Sequence, residues 1–495
     1  LMRYAPDGRQ WTVTPQYVAC LDLLEEAITQ IRYSVERRRP AAIAMAEQIQ
    51  TEIAEQAFRP EVDVRVQQDL LMALHGAKLK LHPDIREKAA DVAVYYARFS
   101  SGKDAPGLDE LLERLVRETK PRDASDLLEP VLAEMAVMPP DGCIVLAAGM
   151  LASSQPVLNE LAVLMLLHSD PDVRTRLPDL YRKPGAIGKL SPLGLRRLIG
   201  MRNWLPAAER QGVDALIEAV RCAGIASAPL PRSEPVGVQA SPFDGSGGQA
   251  AWLAVKDGRR YRIESVLVKQ GEGVREAYSQ HDLTKRALDG MGRRMADASG
   301  TLRVDAEYLH RMMRHFIAVG LDRGAPPPPQ LLPTNEWARG GYWTPERIST
   351  EDEIERIKAT DPGAFNLEQT RWVLVNAGSW PKALDFAASW FEDDARIEAL
   401  LHEHIGAAGR WLEHLPQAAS VIMQGLLEQK RDIWTERLLW MSLWSAACPT
   451  RAPTPWQDLL TMAMVLQQGT ALTEIPLMHA IAERSVQSAW RRSFR

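Results

Sequence analysis

Two runs of this chain, His82-Pro83-Asp84-Ile85-Arg86-Glu87-Lys88-Ala89 and Asp170-Pro171-Asp172-Val173-Arg174-Thr175-Arg176-Leu177, carry one pattern 88 residues apart. Each residue type in it has a helical reason. Proline suits the first helical position, where its missing N–H costs nothing and its fixed φ is already helical. Asp170 can cap a helix, and Asp84 and Asp172 put negative charge beside its N-terminus, where the backbone dipole favours it. Ile85, Ala89, Val92 and Tyr96 then recur at helical spacing, and Val173, Leu177 and Leu180 repeat the start of that series. A helix with one apolar stripe has to bury it against a neighbour, so the chain is constrained to packed helices.

The pattern of proline, aspartate, β-branched residue and arginine resembles the opening of the second helix in HEAT-like repeats, whose helical hairpins recur at roughly 40 to 47 residues. The resemblance covers about residues 40 to 225. It implies that hairpins stack side by side and leave broad outer faces. Two further windows, Asp126 to Met135 and Val213 to Val220, have helical apolar spacing but lack the proline signature.

At 495 residues the chain exceeds the size at which one core stops growing, roughly 250 to 300, so two or three domains are expected. A net charge of −5 gives no global attraction to nucleic acid or to acidic membranes. Cys20, Cys143, Cys222 and Cys448 are scattered without a CxxC pair, which favours free thiols over disulfides or a zinc site. The runs Cys143 to Ala152 and Ala162 to Leu167 are shorter than the roughly 20 apolar residues that cross a bilayer. The first ten residues lack the apolar stretch of a secretion signal, although Leu1 ahead of Met2 weakens that argument. A cytoplasmic location without membrane insertion is expected.

The pattern along the chain suggests four parts. Residues 1–225 read as the HEAT-like stack. Residues 226–325 read as a β insert, about 236–270, followed by helices from Val274 to about Gly320. In the insert, Asp257-Gly258 between two strand-like runs signals a two-residue hairpin, which is marginal alone and is expected to pack on a helix or to gain a third strand from Val236 to Ala240. Pro326 to Pro329 opens a stiff linker over 326–345. Residues 346–495 hold most of the tryptophans and read as a separate helical domain, with Thr350 and Glu353 at capping-box spacing and one long stripe from Ile397 to Leu415. The expected fold class is mainly α: a helical-hairpin stack, a small β-hairpin insert and a Trp-rich C-terminal helical domain.

No chemistry-bearing motif stands out. Asp244-Gly245-Ser246-Gly247-Gly248 lacks the order of a serine-protease nucleophile and the glycine-lysine ending of a phosphate loop, so it reads as a flexible turn. His402 and His404 diverge by about 200° on a helix and cannot easily share a metal. His404 reads as a core histidine, and His310 with His315 are no better spaced. Glu351-Asp352-Glu353 and Glu392-Asp393-Asp394 precede predicted helices and suit their N-termini. No catalytic, cofactor or metal residues are assigned.

Two surface readings remain. Trp434, Trp440 and Trp444 cover so much of one helix that it is either central to a core or docked on a partner, because tryptophan is enriched at interface hot spots. Arg196 and Arg197 would serve nucleic-acid binding or repair on the helical scaffold. The leading expectation is a non-enzymatic interaction or scaffold protein that uses helical-repeat surfaces to bind one or more proteins. A nucleic-acid-binding protein and an enzyme with a fold-assembled site are the alternatives.

Overall fold

The computed structural model describes residues 14–493 other than 38, 60, 78, 80, 83, 86, 87, 89–106, 137, 232, 233, 339, 340, 361–366 and 449–451. The chain is mainly helical and divides into two compact units. The first comprises the described residues up to Ile199 together with Gln211–Ala228; the second comprises Gly200–Arg210 and the described residues from Pro229 onward. Among the described residues, no helix is long and apolar enough to cross a membrane.

Among the described residues, ten α-helices longer than four residues precede the sheet: α1 (Pro15–Glu36), α2 (Pro40–Ala57), α3 (Val64–Gly76), α4 (Leu108–Thr119), α5 (Ser125–Ala136), α6 (Pro140–Ala152), α7 (Pro156–Leu164), α8 (Pro171–Tyr181), α9 (Pro192–Met201) and α10 (Arg210–Cys222). Proline opens α1, α2, α6, α7 and α8, where a helix has no use for the missing N–H. In the first unit α1 touches α2 and α3, while α6 touches α7 and α8, so contacts run between helices close in the chain.

In α8 the Asp170 carboxylate accepts the Asp172 N–H at 2.8 Å, and Val173 and Leu177 are buried. Arg174 of the repeated pattern is buried too. Its guanidinium donates to the carbonyls of His168 at 2.7 Å and Ser169 at 2.8 Å, tying the helix back to its own entry turn. Of the earlier run, Ile85 is buried, whereas Pro83, Arg86, Glu87, Ala89, Val92 and Tyr96 lie outside the described residues. The windows near 126 and 214 are helices, α5 and α10. Two helices rather than one, α6 and α7, separate α5 from α8, which departs from a simple hairpin period.

The second unit is built on a five-stranded antiparallel sheet: β1 (Glu234–Ala240), β2 (Gly248–Asp257), β3 (Arg260–Lys269), β4 (Gly273–Leu283) and β5 (Leu302–Val304), in the order β4-β3-β2-β1-β5. The hairpin and the third strand are present, with the turn shifted by one residue. Asp257 stays in the ladder opposite Arg260, and Gly258-Arg259 make the turn, with Gly258 at φ +61. Only the first turn residue needs a positive φ, which is the preference of a type II′ turn. Residues 274–283, expected as helix, form β4 instead. Val274, Ala277 and Leu283 are buried against the sheet's own helices, so tertiary packing overrides local preference.

Helix α11 (Lys285–Ser299) lies between β4 and β5, and α12 (Ala306–Asp322) and α13 (Leu331–Trp337) follow β5. The expected linker over 326–345 is not one. Pro328 and Pro329 supply carbonyls to the N–H groups of Leu331 and Leu332, and Leu331 to Glu336 are all buried. The remaining α-helices longer than four residues among the described residues are α14 (Thr350–Thr360), α15 (Leu367–Ala377), α16 (Arg396–His404), α17 (Leu415–Ile422), α18 (Arg431–Ala446), α19 (Trp456–Gln467) and α20 (Pro476–Ser493). The stripe from Ile397 to Leu415 breaks at Gly406, whose φ of +97 ends α16. His404 is consequently exposed rather than core, because Ile397, Leu401 and Ile405 fill that face.

Candidate functional site

One concavity of the second unit is assembled from α12, the segment 344–349 and α14. Asp305 caps α12 by accepting the Tyr308 N–H at 2.7 Å. Residues 307, 311 and 314 then share one helical face, placing Glu307, Arg311 and Arg314 outward while Leu309, Met312, Met313 and Phe316 are buried.

The segment that crosses α12 is fastened at three points. Asn335 accepts the Trp343 N–H at 3.0 Å, the Trp343 indole donates to His310 Nδ1 at 2.7 Å, and the Ile348 N–H donates to His315 Nδ1 at 3.1 Å. His315 is fully buried, and its Nε2 lies 3.1 Å from the Glu436 carboxylate. Burial raises the Glu436 pKa, but the bonds from His315 and Gln270 outweigh it and hold the carboxyl below its ordinary range. With Nδ1 accepting and Nε2 donating, the His315 tautomer is fixed.

The segment ends at Ser349, whose hydroxyl accepts the Asp352 N–H at 3.2 Å and so caps α14. Ser349 thus takes the place expected of Thr350. Inside the first turn, Glu353 is buried and ion-paired with Arg311 at 2.7 Å and Arg356 at 2.6 Å. Burial works against its charge, and the two guanidiniums prevail, lowering its pKa. Arg314 pairs with Glu346, and Arg347 with Asp322 at 2.9 Å.

These side chains enclose a cavity of 530 Å³ lined by Arg311, Arg314, Arg347 and Arg356 together with Glu307, Glu346, Asp352 and Glu353. A second cavity of 340 Å³ shares Glu307, Arg311 and Arg356 with the first and is otherwise mostly apolar, with Ile357, Trp440, Leu443, Ala446 and Trp456 in its wall. One cleft therefore has a charge-balanced arm and an apolar arm that meet at two guanidiniums held by one carboxylate.

Trp434, Trp440 and Trp444 do not form an exposed face. All three are buried at 1 % exposure or less. The Trp434 indole donates to Glu392 at 3.0 Å and that of Trp444 to the Ala240 carbonyl at 3.1 Å, while Trp440 packs on Tyr308, His315 and Phe316. The helix is ringed with large side chains because it is central to the core, and Trp440 reaches the wall of the 340 Å³ cavity. Arg197 is 3 % exposed and Arg196 is half-buried, so α9 does not present them as a basic patch.

The Asp244–Gly248 loop is packed rather than flexible. Asp244 accepts N–H bonds from Ser246 and Gly248, the Gly245 N–H donates to Ser389 Oγ at 3.0 Å, and the buried Arg437 donates to the Gly245 carbonyl at 2.9 Å. Burial lowers the Arg437 pKa, and its guanidinium also stacks on Trp434. Glu392, Asp393 and Asp394 pair with Lys430, Arg492 and Arg396. Burial pushes the Cys143 thiol up to about 12 and the Cys448 thiol up to about 11. Among the described residues, no group of three or more His, Cys, Asp or Glu side chains could hold a metal ion.

Two stretches of the chain match family models. Residues 351–490 match the Y4lR C-terminal helical domain, and residues 139–224 match the Y4lR second domain. The chain is also 24% identical over 342 residues to the uncharacterized protein y4lR of Sinorhizobium fredii (strain NBRC 101917 / NGR234), a span of 67% of this chain and 63% of that protein. The match thus spans less than two thirds of that relative's length. No solved structure matches. The C-terminal match takes in Asp352, Glu353 and Arg356 of the cleft, whereas Arg311, Arg314 and Arg347 precede it.

Proposed function

We propose that the protein is a non-enzymatic interaction protein: the cleft of its second unit docks a partner protein, and the helices of its first unit, stacked in a HEAT-like manner, offer further contact faces. The observation that carries this reading is the commitment of the reactive groups around the cleft to structure. His310 and His315 each spend Nδ1 on an N–H donor, and Ser349 spends its hydroxyl on a helix cap. What the cleft offers instead is recognition chemistry, namely guanidiniums held in place by Glu353 beside an apolar cavity. The formal charges of its ionic wall cancel, which disfavours a polyanion such as nucleic acid.

The test is quantitative affinity capture from a native source with the wild-type chain and an Arg311→Ala, Arg356→Ala double variant. A stoichiometric partner captured by the first and lost from the second is expected. Equal capture by both, or no partner together with turnover of a substrate by the purified chain, would refute the reading.

A further inference from the structure

The cleft's chemistry narrows the ligand. Arg311 and Arg356 use one and two of their five N–H groups on Glu353, which leaves donors for another acceptor. Glu353 is only 7 % exposed at its side chain, whereas those of Arg311 and Arg356 are 26 % and 56 % exposed. The carboxylate is therefore a fixed post, and the guanidiniums are what a ligand meets. Because four arginines face four carboxylates across the charged arm, the balance admits one extra negative charge more readily than several. Glu307 and Asp352 sit in the same wall and make no ion pair among the described residues, so they can accept N–H groups from a ligand. At the other side of Arg311 and Arg356 lies the cavity walled by Leu443, Ala446 and Trp456.

A ligand that satisfies all three surfaces has one carboxylate, an apolar group beside it, and N–H donors leading away. We infer that the cleft binds the carboxy terminus of a partner polypeptide ending in a large apolar residue. The terminal carboxylate sits on Arg311 and Arg356, the last side chain fills the 340 Å³ cavity, and the preceding amides face Glu307 and Asp352. Bidentate capture of a carboxylate by guanidinium forks is charge-assisted and directional, which is what makes the terminus rather than the chain the recognised feature. The inference rests on the partner-docking reading and adds the part of the partner that is read.

The experiment is calorimetric titration of the full chain with a short acetylated peptide ending in leucine, with the same peptide amidated at its end, and with hexanoate. The free-acid peptide is expected to bind, and amidation to weaken it by at least about tenfold, the size of one lost charge-assisted bond. Arg356→Met, at an exposed side chain, should cause a similar loss with unchanged circular dichroism, and Ala446→Phe should obstruct the apolar arm. Equal affinity for acid and amide would overturn the inference, as would binding of hexanoate but not the peptide. Capture of a partner that depends on Arg311 and Arg356 but tolerates amidation of its carboxy terminus would remove this inference and leave partner docking standing.

Discussion

Gly245→Ala isolates the claim that the Asp244–Gly248 loop is packed. A Cβ built at Gly245 falls 1.7 Å from the Ser389 carbonyl oxygen and 2.7 Å from its carbon. The obstacle is backbone, so no rotamer change relieves it, and the two segments must separate by more than about 1 Å; overpacking of this kind costs about 1–3 kcal/mol. Separation also weakens the Gly245 N–H bond to Ser389 Oγ and draws the Gly245 carbonyl away from the buried Arg437. Losing one neutral bond costs about 1 kcal/mol and losing one to a charged group about 1.5–3 kcal/mol, so with the overpacking a total of about 3.5–7 kcal/mol is expected. Gly258→Ala is the control. It places a side chain at φ +61 with nothing within 4 Å, so it carries only the left-handed penalty of about 1–2 kcal/mol. Guanidinium unfolding followed by tryptophan fluorescence reads both, since Trp390 donates to the Phe243 carbonyl next to the loop. A Gly245→Ala loss below about 1 kcal/mol, or smaller than that of Gly258→Ala, would refute the packed loop.

Further expectations concern the core and pH. Trp434→Ala or Trp444→Ala should each cost about 3–5 kcal/mol of stability, seen as a lowered denaturation midpoint; a variant of unchanged stability that loses only partner binding would restore the exposed-face reading. Arg197→Glu should destabilise the fold through a buried charge reversal, measured by thermal melting, whereas a fully stable variant would contradict its burial. His168 and His310 both have pKa values lowered by burial, with Arg174 and Arg314 adding and Asp170 and Glu307 opposing. The unfolded chain therefore takes up these protons first, so their stabilisation is complete above about pH 6.5 and is lost as pH falls through that value. Asp69, Glu134 and Asp458, raised by burial, act with the opposite sign at lower pH. Comparing the denaturation midpoint at pH 7.5 and 5.5 with His168→Gln and His310→Gln isolates the histidine part, and no flattening of the pH dependence in those variants would contradict it.

The helices were legible where proline and aspartate mark a start and one face is apolar, as in α8, because those signals are local. The hairpin was legible too, since Gly258 tolerates a conformation that other residues resist. β4 was not, because its few apolar residues find their partners on β3 and α12 rather than along the chain. Nor was α13, whose burial is set by contacts with the strands that no local pattern announces. The same distinction separates the two fates of tryptophan. A helix ringed by Trp434, Trp440 and Trp444 reads alike whether its surroundings are the rest of the chain or a partner. The cleft was invisible for a similar reason: Arg311, Arg356 and Glu353 converge only after α12 and α14 pack, and each alone reads as a solvated charge. What could have pointed to it is the charged face Glu307-Arg311-Arg314 on an otherwise apolar helix.

Hydrogen exchange of the full chain, with and without the captured partner, bears most directly on docking at the cleft. Slowed exchange is expected in 306–316 and 346–358, the backbone that carries the cleft's charged wall. Protection confined to helices of the first unit, or none in these two segments at saturating partner, would contradict it.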